Sequence, residues 1–457
     1  MKFKPTLILL GVFILLLIVV YFLEFSGQGE DSTEDKLVSL GSDDVIKIIF
    51  DNGEETIQFQ KEGEDWLIVE PVEAKGDKYE IDRLSDDFSD LRFERIVEDV
   101  PSDLEKYGIP QKEIALFYDG QDLPVKILIG MENPLDNTFF AKKADETKVV
   151  LIPSSLKSLL EKKVFDFRQK DIFKFESDQA KSVKLRAKDI EWEAEKVNEE
   201  WFLRKPVNAL AEKSKVNDVL NAISNLKAAA FVSEEKNDEE VQRWGLDDPD
   251  YEVSIDFPVE NRQVTYLLHK EEDSVHATSS ISPKILRVDD AVLADLEKEP
   301  TDLRDKSVAD FFSWEAKKLQ VRKGDFSLTL TKDEEDNWQS NMPEIQEIDK
   351  EKVQSFLRKM ESLEAEEFID PPLKLADYGL DIPRAEVRIW AGDEESPTEV
   401  IIQIGTEEEE SEKAYVKNGR FDYVFMVDSS FIEDLPGKAE DWKLAPEEEK
   451  KEEKESR

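Results

Sequence analysis

Two histidines, His269 and His276, are the side chains of this sequence whose ordinary pKa is suited to proton transfer near neutral pH. An imidazole could act as a general base or ligate a metal ion. They lie seven positions apart in a stretch with the pattern of strand and turn. A catalytic or metal-binding role is one hypothesis. We favour the other, that they are solvent-exposed or edge-strand histidines.

Carboxylates are the second candidate chemistry. A pair of acids could hydrolyse a glycosidic bond, but among 107 Asp and Glu residues such pairs occur on almost every surface. The acidic run Glu407–Glu410 could attract Ca²⁺, yet it lacks the alternating Asp/Asn ligands and fixed glycine of a calcium loop. We interpret it as solvated charge.

Composition and motifs argue against most other enzyme classes. The sequence contains no Cys, which excludes disulfides, thiolate catalysis, iron–sulfur clusters and Cys-ligated zinc. It has no phosphate-binding Gly-x4-Gly-Lys-Ser/Thr loop, no dinucleotide-binding glycine motif, no His-Glu-x-x-His and no Gly-x-Ser-x-Gly. We therefore predict no catalytic residue, no cofactor site and no metal site.

The charge balance restricts the partners. The 457 residues include 62 Lys and Arg against 107 Asp and Glu, a net charge of −45. This charge argues against binding to nucleic acid through a basic face. Solubility, repulsion from anionic lipid, a saline habitat and a basic protein partner would each account for the acidity, and composition does not separate them.

The N-terminal region predicts a membrane anchor. Thr6–Leu23 is 18 residues long and contains no charge. A helix of this length would span about 27 Å, close to the hydrocarbon thickness of a bilayer. Lys2 and Lys4 precede the segment and acidic residues follow it. The positive-inside rule thus predicts a cytoplasmic N-terminus at residues 1–5 and an extracytoplasmic, periplasmic bulk tethered to the inner membrane.

A cleaved signal peptide is the alternative for this segment. Signal peptides usually have an apolar core of about 7–15 residues followed by a small-x-small cleavage site. The apolar run here is longer, and Ser26–Gly29 is a poor cleavage site. We favour an uncleaved anchor followed by an acidic flexible stalk over residues 24–42.

Internal repetition is the most informative feature of the sequence. Trp66, Trp201 and Trp338 lie 135 and 137 residues apart, and a proline follows each five positions later. Fifteen positions after each tryptophan, four apolar residues recur with steps of 3, 4 and 3, which predicts one buried face of a helix. The three sets are Ile81, Leu84, Phe88 and Leu91; Val216, Val219, Ile223 and Leu226; and Val353, Phe356, Met360 and Leu363.

A glycine turn and strands follow each predicted helix. The turns are Tyr107-Gly108-Ile109, Trp244-Gly245-Leu246 and Tyr378-Gly379-Leu380, each with a proline shortly after it. The glycine predicts a positive φ, and the proline prevents helix propagation. The apolar runs that come next predict paired strands over 114–118 and 125–129, 253–257 and 264–268, and 387–390 and 400–404.

Each copy closes with a short predicted helix, capped by Ser or Asp, and an acidic–apolar–basic triplet. The triplets are Asp166-Phe167-Arg168, Asp302-Leu303-Arg304 and Asp441-Trp442-Lys443. We interpret the basic residues as partners of the preceding acid or as helix-end caps, rather than as ligand-binding groups.

Together these blocks predict an α+β fold, with three tandem copies of a mixed antiparallel-strand plus two-helix unit after one N-terminal transmembrane helix. A copy of about 135 residues is large enough to hold its own core. We place the copies at residues 43–172, 173–309 and 310–443, and a disordered charged tail at 444–457. Linkers between the copies are nearly absent, which predicts that the three units pack in a fixed elongated row.

These landmarks resemble a bacterial family, the domain of unknown function 4340. Its members have one N-terminal membrane segment and copies with Trp-x4-Pro, an aromatic-Gly-Leu-x-x-Pro turn, an Ile-Gly strand end and an Arg-Asp-Lys segment. The matching residues here are Trp66 and Pro71, Trp201 and Pro206, Trp338 and Pro343, Gly245-Leu246 with Pro249, Gly379-Leu380 with Pro383, Ile129-Gly130, Ile404-Gly405 and Arg304-Asp305-Lys306. The second copy departs at His269, where the glycine falls, and the first copy at Gln169.

The family has no assigned activity and no catalytic residues that could be carried over to this sequence. The resemblance implies an extracytoplasmic accessory role, because family members often lie beside components of an ABC-type transporter resembling gliding-motility machinery. We therefore predict a non-enzymatic interaction module with an envelope or transporter protein as partner. The alternative is an envelope carbohydrate-active hydrolase or glycan-binding protein. In that alternative Trp66, Trp201 and Trp338 could stack on sugars, whereas their fixed spacing favours core positions. Oligomeric state stays open.

Overall fold

The computed structural model describes residues 35–171, 174–345, 347–392, 397–408 and 412–444. The predicted anchor at Thr6–Leu23, most of the predicted stalk and all but the first residue of the predicted tail lie outside these ranges. Among the described residues, no helix has the length and apolar character needed to cross a bilayer. The chain divides into two compact bodies, one ending at Lys170 and the other beginning at Asp171.

The first body contains one nine-stranded sheet, with the strand order β4-β3-β2-β1-β6-β7-β8-β9-β5. Its elements are β1 (Val45–Asp51), β2 (Thr56–Glu62), β3 (Asp65–Glu70), β4 (Ala74–Lys75), α1 (Lys78–Ser89), β5 (Arg95–Glu98), β6 (Lys112–Tyr118), β7 (Val125–Glu132), β8 (Phe139–Lys143), β9 (Val149–Ile152), α2 (Lys157–Leu160) and α3 (Val164–Phe167).

The second body contains two sheets. The first of these has nine strands in the order β13-β12-β11-β10-β15-β16-β17-β18-β14. Its elements are β10 (Ser182–Ala187), β11 (Ile190–Val197), β12 (Glu200–Lys205), β13 (Ala209–Ala211), α4 (Lys213–Ser224), β14 (Ala230–Ser233), α5 (Asp238–Arg243), β15 (Tyr251–Phe257), β16 (Arg262–Glu271), β17 (Ser274–Ser279), β18 (Ile285–Val288) and α6 (Leu293–Leu296).

The other sheet of the second body has eight strands in the order β21-β20-β19-β23-β24-β25-β26-β22. Its elements are β19 (Ala316–Lys323), β20 (Phe326–Lys332), β21 (Trp338–Ser340), α7 (Lys350–Glu361), β22 (Glu367–Ile369), β23 (Ala385–Ala391), β24 (Thr398–Glu408), β25 (Lys413–Asn418) and β26 (Val424–Asp428). The three sheets thus share one topology, except that the described residues of the third copy contain no counterpart of the short edge strands β4 and β13. The predicted triplication is confirmed.

The long helix has the same place in each copy. Strand neighbours along each sheet are antiparallel, and the helix follows one edge strand and precedes the strand at the opposite edge. The chain therefore crosses the sheet through α1, α4 or α7, and the apolar face of the helix joins the core on the sheet. The predicted helix faces are confirmed for the first three residues of each set, which lie in the helices and are buried. The fourth residues, Leu91, Leu226 and Leu363, are also buried but lie just beyond the helix ends. The predicted strand pairs are also present as β6–β7, β15–β16 and β23–β24.

The prediction of two helices in each unit is wrong, because the closing segment is α-helical only in pieces of four residues, and only in the first two copies. In the first copy the closing segment is a 3₁₀ turn at Ser154–Leu156 followed by two four-residue helices. In the third copy it is 3₁₀ throughout, at Ser429–Ile432 and Ala439–Trp442. Segments this short gain little from α-helix propagation, and 3₁₀ turns are common in pieces of three or four residues.

The glycine turns are confirmed. Gly108, Gly245 and Gly379 have φ values of 65°, 67° and 66°. In the first and third copies the glycine at the predicted Ile-Gly strand end lies directly under this turn. A Cβ on Gly130 would overlap the carbonyl oxygen of Tyr107, and a Cβ on Gly405 would overlap that of Tyr378.

The second copy accommodates His269 at the position of this glycine through a different turn. The turn follows the helix α5, whereas the other two copies have a 3₁₀ turn there. The imidazole packs against Gly245, where an added Cβ would overlap the ring. In each copy the glycine turn is thus matched to the residue at the strand end that it packs against, a glycine in the first and third copies and His269 in the second.

Replacement of Gly405 by alanine should lower the free energy of unfolding of the third copy by about 2 kcal/mol, because a backbone carbonyl oxygen occupies the place of the new methyl group. Urea unfolding of the full chain in detergent measures this loss. Gly419→Ala is the control, since the nearest atom to its Cβ would be Ile401 Cβ at 3.6 Å, an ordinary contact. Equal losses of stability in the two variants would contradict the conclusion that a backbone carbonyl oxygen leaves no room for a side chain at Gly405.

The second and third copies pack directly on one another. Ala209 and Val308 of the second copy belong to the buried cluster of the third. Asn418 donates a hydrogen bond of 2.6 Å to the Val308 carbonyl. The guanidinium of Arg420 donates to both carboxylate oxygens of Glu200, at 2.6 and 2.8 Å.

Candidate functional site

The repeated tryptophans are core residues. Their exposed fractions are 1% for Trp66, 1% for Trp201 and 7% for Trp338. The indole of Trp66 donates from Nε1 to Asp82 Oδ1 at 2.7 Å, a contact to the helix that covers the sheet. A side chain this buried offers no face to a sugar ring. The hypothesis that these three tryptophans stack on a glycan is therefore wrong.

The closing triplets bind the start of the long helix. In each copy the N–H of the helix N-cap residue donates to the carbonyl of the central triplet residue, and we call this hydrogen bond the latch. Asp77 N donates to the Phe167 carbonyl at 2.7 Å, Glu212 N to Leu303 at 2.8 Å, and Asp349 N to Trp442 at 3.0 Å. The central side chains are buried at 0, 0 and 1% exposure.

The two flanking triplet residues complete the latch. The acid accepts from a backbone N–H three positions upstream in each copy, at 2.8 Å for Asp166, 3.1 Å for Asp302 and 3.1 Å for Asp441. The basic residue pairs through its backbone with the residue just before the helix N-cap: Gly76 with Arg168, Ala211 with Arg304, and Ile348 with Lys443. The triplets thus close each copy by joining its C-terminal segment to its helix.

The side chain of Arg304 lies at the junction of the second and third copies. Nη1 donates to both oxygens of Asp370, at 2.9 and 3.0 Å. The guanidinium carbon lies 3.8 Å from the Phe368 ring centroid and 4.4 Å from that of Tyr423. Both rings belong to the third copy. The interpretation of Arg304 as a partner of the preceding acid, Asp302, or as a helix cap is therefore wrong, since the guanidinium binds across the junction.

The histidines lie inside the second sheet. His269 on β16 stands opposite His276 on β17, and neither strand is at the sheet edge. His276 is 3% exposed, and its ring centroid is 4.5 Å from that of Trp244. The description of these residues as solvent-exposed or edge-strand histidines is wrong for His276. In the part of the chain that the structure describes, no group of three or more acids and histidines could hold a metal ion.

Burial lowers the pKa of His276 below its ordinary 6.5, opposed in part by Glu271, while His269 and Arg287 lower it further. The folded state thus prefers the neutral ring. Above about pH 6.5 this contribution to stability is fully present; as the pH falls below 6.5 the unfolded chain takes up the proton first and the contribution is lost. We expect the stability advantage of the wild type over His276→Gln to shrink between about pH 7 and pH 5 in urea unfolding. A stability advantage of the wild type that stays constant or grows as the pH falls would contradict the conclusion that burial lowers the pKa of His276.

The most deeply buried carboxylate of the described residues does not have the raised pKa of a general acid. Glu386 is the one Asp or Glu there that is almost fully buried, at 7% exposure. Burial raises its pKa, but hydrogen bonds from Arg388 Nε at 2.8 Å and Gln403 Nε2 at 3.2 Å outweigh this effect, so that its pKa is lowered overall. A general acid needs a raised pKa. In the acidic run, Glu407 pairs with Arg384, and Tyr415 donates to Glu408 at 3.3 Å.

A cavity of about 530 Å³ opens within the second body, where the second and third copies meet. Its wall includes Ser214 and Lys215 from the first turn of α4, the segment 304–307 and Glu364 of the third copy. Sequence reasoning missed this feature, because its residues are distant in the sequence and belong to two copies. The one available signal was Glu212, which replaces the Asp that caps the long helix in the other copies.

Comparisons with known proteins identify a family. A family model described as a domain of unknown function, DUF4340, matches residues 66–236, 201–374 and 370–444. No curated protein matches. Among solved structures, a DNA polymerase sliding clamp from Pseudomonas aeruginosa with ligand has 9% identity and a TM-score of 0.15, covering 85% of this chain and 93% of its own. The DNA polymerase III subunit beta from the same organism has 9% identity and a TM-score of 0.14, covering 87% and 93%. TM-scores this low carry no argument about fold or function.

Proposed function

This chain belongs to the DUF4340 family, and we propose that it is a membrane-anchored extracytoplasmic repeat protein with a non-enzymatic interaction role. The proposed anchor is Thr6–Leu23 in the inner membrane, with a cytoplasmic N-terminus and a periplasmic bulk. The proposed partner is a component of an ABC-type transporter or another envelope complex. The net charge of −45 disfavours nucleic acid as a partner.

One observation carries the non-enzymatic part of this proposal: the recurring residues build the fold. The three tryptophans are buried, the three glycines form left-handed turns, and the three triplets latch the helices. Residues that recur because they position the backbone and fill cores need no shared chemistry. The role that the three copies share would then be to present surfaces to a partner.

An exposed aromatic pair at the start of the third copy is the surface that we propose for the partner. Phe312 is 59% exposed and Trp314 is 67% exposed, and their rings stack with centroids 6.0 Å apart. Large aromatic side chains dominate the energy of protein interfaces when a partner covers them. Two such rings left in solvent favour an interaction site over a catalytic one.

Affinity purification from mildly solubilised, crosslinked membranes tests this proposal. We expect the wild-type chain to be recovered with a defined envelope protein, and the double variant Phe312→Ala/Trp314→Ala to lose it. The matched control is Val259→Ala/Ile382→Ala, which removes two other exposed apolar side chains, at 92% and 83% exposure, and should retain the partner. Recovery of the bare wild-type chain would count against the proposal.

The carbohydrate-active alternative has less support. It relied on surface carboxylates and on exposed aromatic side chains, the three repeated tryptophans among them. The three repeated tryptophans are buried, and the pKa of Glu386 is lowered.

A further inference from the structure

A 3₁₀ turn of three residues leads into the first strand of each copy. The three turns are Ser42–Asp44, Ser177–Gln179 and Ser313–Glu315. At the N-cap and at the middle position, the first two copies have small or acidic residues, namely Gly41 and Asp43, and Glu176 and Asp178. The third copy has Phe312 and Trp314 at these positions, with the same extended N-cap backbone. The turn thus forms without aromatic residues, so the fold does not account for the two rings.

The faces of these two rings are not covered by a cation of the described residues. Phe312 and Trp314 contact each other, with ring planes 27° apart, and no Lys or Arg there lies over either ring. The other two tryptophans that are not buried each have a cation over the ring: Arg243 lies 5.3 Å from the Trp244 centroid, and Lys318 Nζ lies 4.2 Å from that of Trp390. The aromatic pair therefore differs from the chain's other accessible indoles in presenting its π faces to the outside.

A carboxylate belongs to the same turn. Glu315 follows Trp314 directly and is half-buried, and its side chain forms no ion pair or hydrogen bond among the described residues. The chain as a whole has a net charge of −45. Aromatic faces attract cations, and an acidic surface selects a basic partner. Two rings beside this carboxylate therefore favour a cationic side chain over an apolar or acidic one.

The junction of the second and third copies shows how this chain holds such a cation. Arg304 donates to both oxygens of Asp370, at 2.9 and 3.0 Å, while its guanidinium carbon lies 3.8 Å from the Phe368 centroid and 4.4 Å from that of Tyr423. A planar guanidinium can lie on a ring and donate to a carboxylate at the same time, whereas an ammonium group is a compact point charge. Two rings and one carboxylate are the set that holds an arginine within this chain.

We propose that Phe312, Trp314 and Glu315 bind an arginine side chain of the partner protein. The guanidinium would lie on the rings and donate to the Glu315 carboxylate, as that of Arg304 does at the junction. This inference rests on the proposed function, because it concerns the surface assigned there to the partner. It narrows the partner to a protein that presents an exposed arginine.

Two variants that differ in π faces test this proposal by affinity purification from crosslinked membranes. Phe312→Tyr/Trp314→Tyr keeps two aromatic rings, and it should recover the partner within about twofold of the wild type. Phe312→Leu/Trp314→Leu keeps apolar side chains without a π face, and it should reduce the recovery at least about threefold. Both positions are exposed, so both variants should fold. Retention of the partner by the leucine variant but not by Phe312→Ala/Trp314→Ala would overturn the arginine site and leave the partner surface standing. Retention by both variants would overturn the two proposals together.

A defined probe gives a second readout that does not require the partner. The full chain in detergent, labelled with fluorotryptophan, is titrated with the peptide acetyl-Gly-Arg-Gly-Arg-Gly-amide and with its lysine counterpart at equal ionic strength. We expect the fluorine resonance of Trp314, assigned from its loss in Trp314→Phe, to shift at least about twice as far with the arginine peptide. Glu315→Gln should reduce this shift. Equal shifts with the two peptides, or a shift unchanged by Glu315→Gln, would show general attraction to an acidic chain and overturn the arginine site.

Discussion

Replacement of Trp201 by alanine should destabilise the second copy by about 4 kcal/mol. Its indole is 1% exposed and belongs to a cluster that unites the sheet, α4 and the closing segment. Removing it leaves a cavity that the surrounding strands cannot close, so both burial and packing are lost. The loss should appear in urea unfolding of the full chain and as faster hydrogen exchange in peptides of the second copy.

Trp314→Ala is the matched control for this variant. It removes the same side chain from a site that is 67% exposed, and it should change stability by no more than about 0.5 kcal/mol. The two variants also separate folding from function, because Trp314 is a residue of the proposed partner surface and Trp201 is not. Similar small losses in both variants would contradict the assignment of the repeated tryptophans to the core.

Asp370→Ala should destabilise the second body by about 2 kcal/mol, because it leaves a buried guanidinium without its carboxylate. The side chain of Arg304 is 2% exposed, while that of Asp370 is 33% exposed, so the cost is below that of a fully buried pair. Arg304 lies in the second copy and Asp370 in the third. Hydrogen exchange should therefore accelerate in both copies at once.

An exposed ion pair in the same body provides the comparison. Arg186 and Glu252 lie 2.7 Å apart with side chains 51% and 37% exposed. Glu252→Ala should cost no more than about 0.5 kcal/mol, since water screens such a pair. A loss from Asp370→Ala as small as this, or one confined to a single copy, would show that Arg304 does not join the two copies.

The sequence was sufficient for the parts of the fold that repeat at fixed spacing. Steps of 3 and 4 at Ile81, Leu84 and Phe88 located the helix, because a helix face must recur at about 3.6 residues. A glycine such as Gly379 located a left-handed turn, because other residues rarely adopt positive φ. Both signals are local, and each appeared three times.

Features that depend on which distant residues meet could not be predicted in this way. The partner of Arg304 is Asp370, 66 positions away and in another copy. The burial of His276 depends on Trp244, which is brought to it by α5, an element without an equivalent α-helix in the other copies. The closing segment was misjudged for a different reason, since Ser and Asp caps suit a 3₁₀ turn as well as an α-helix.

The proposed function requires above all that the three copies are tethered at a membrane and lie outside the cytoplasm. Fractionation of a bacterial host expressing the full chain, followed by protease treatment of spheroplasts, measures both properties together. The proposed function predicts intact chain in the membrane pellet and loss of the three copies to external protease. Intact, protease-protected chain in the cytosolic fraction would contradict it.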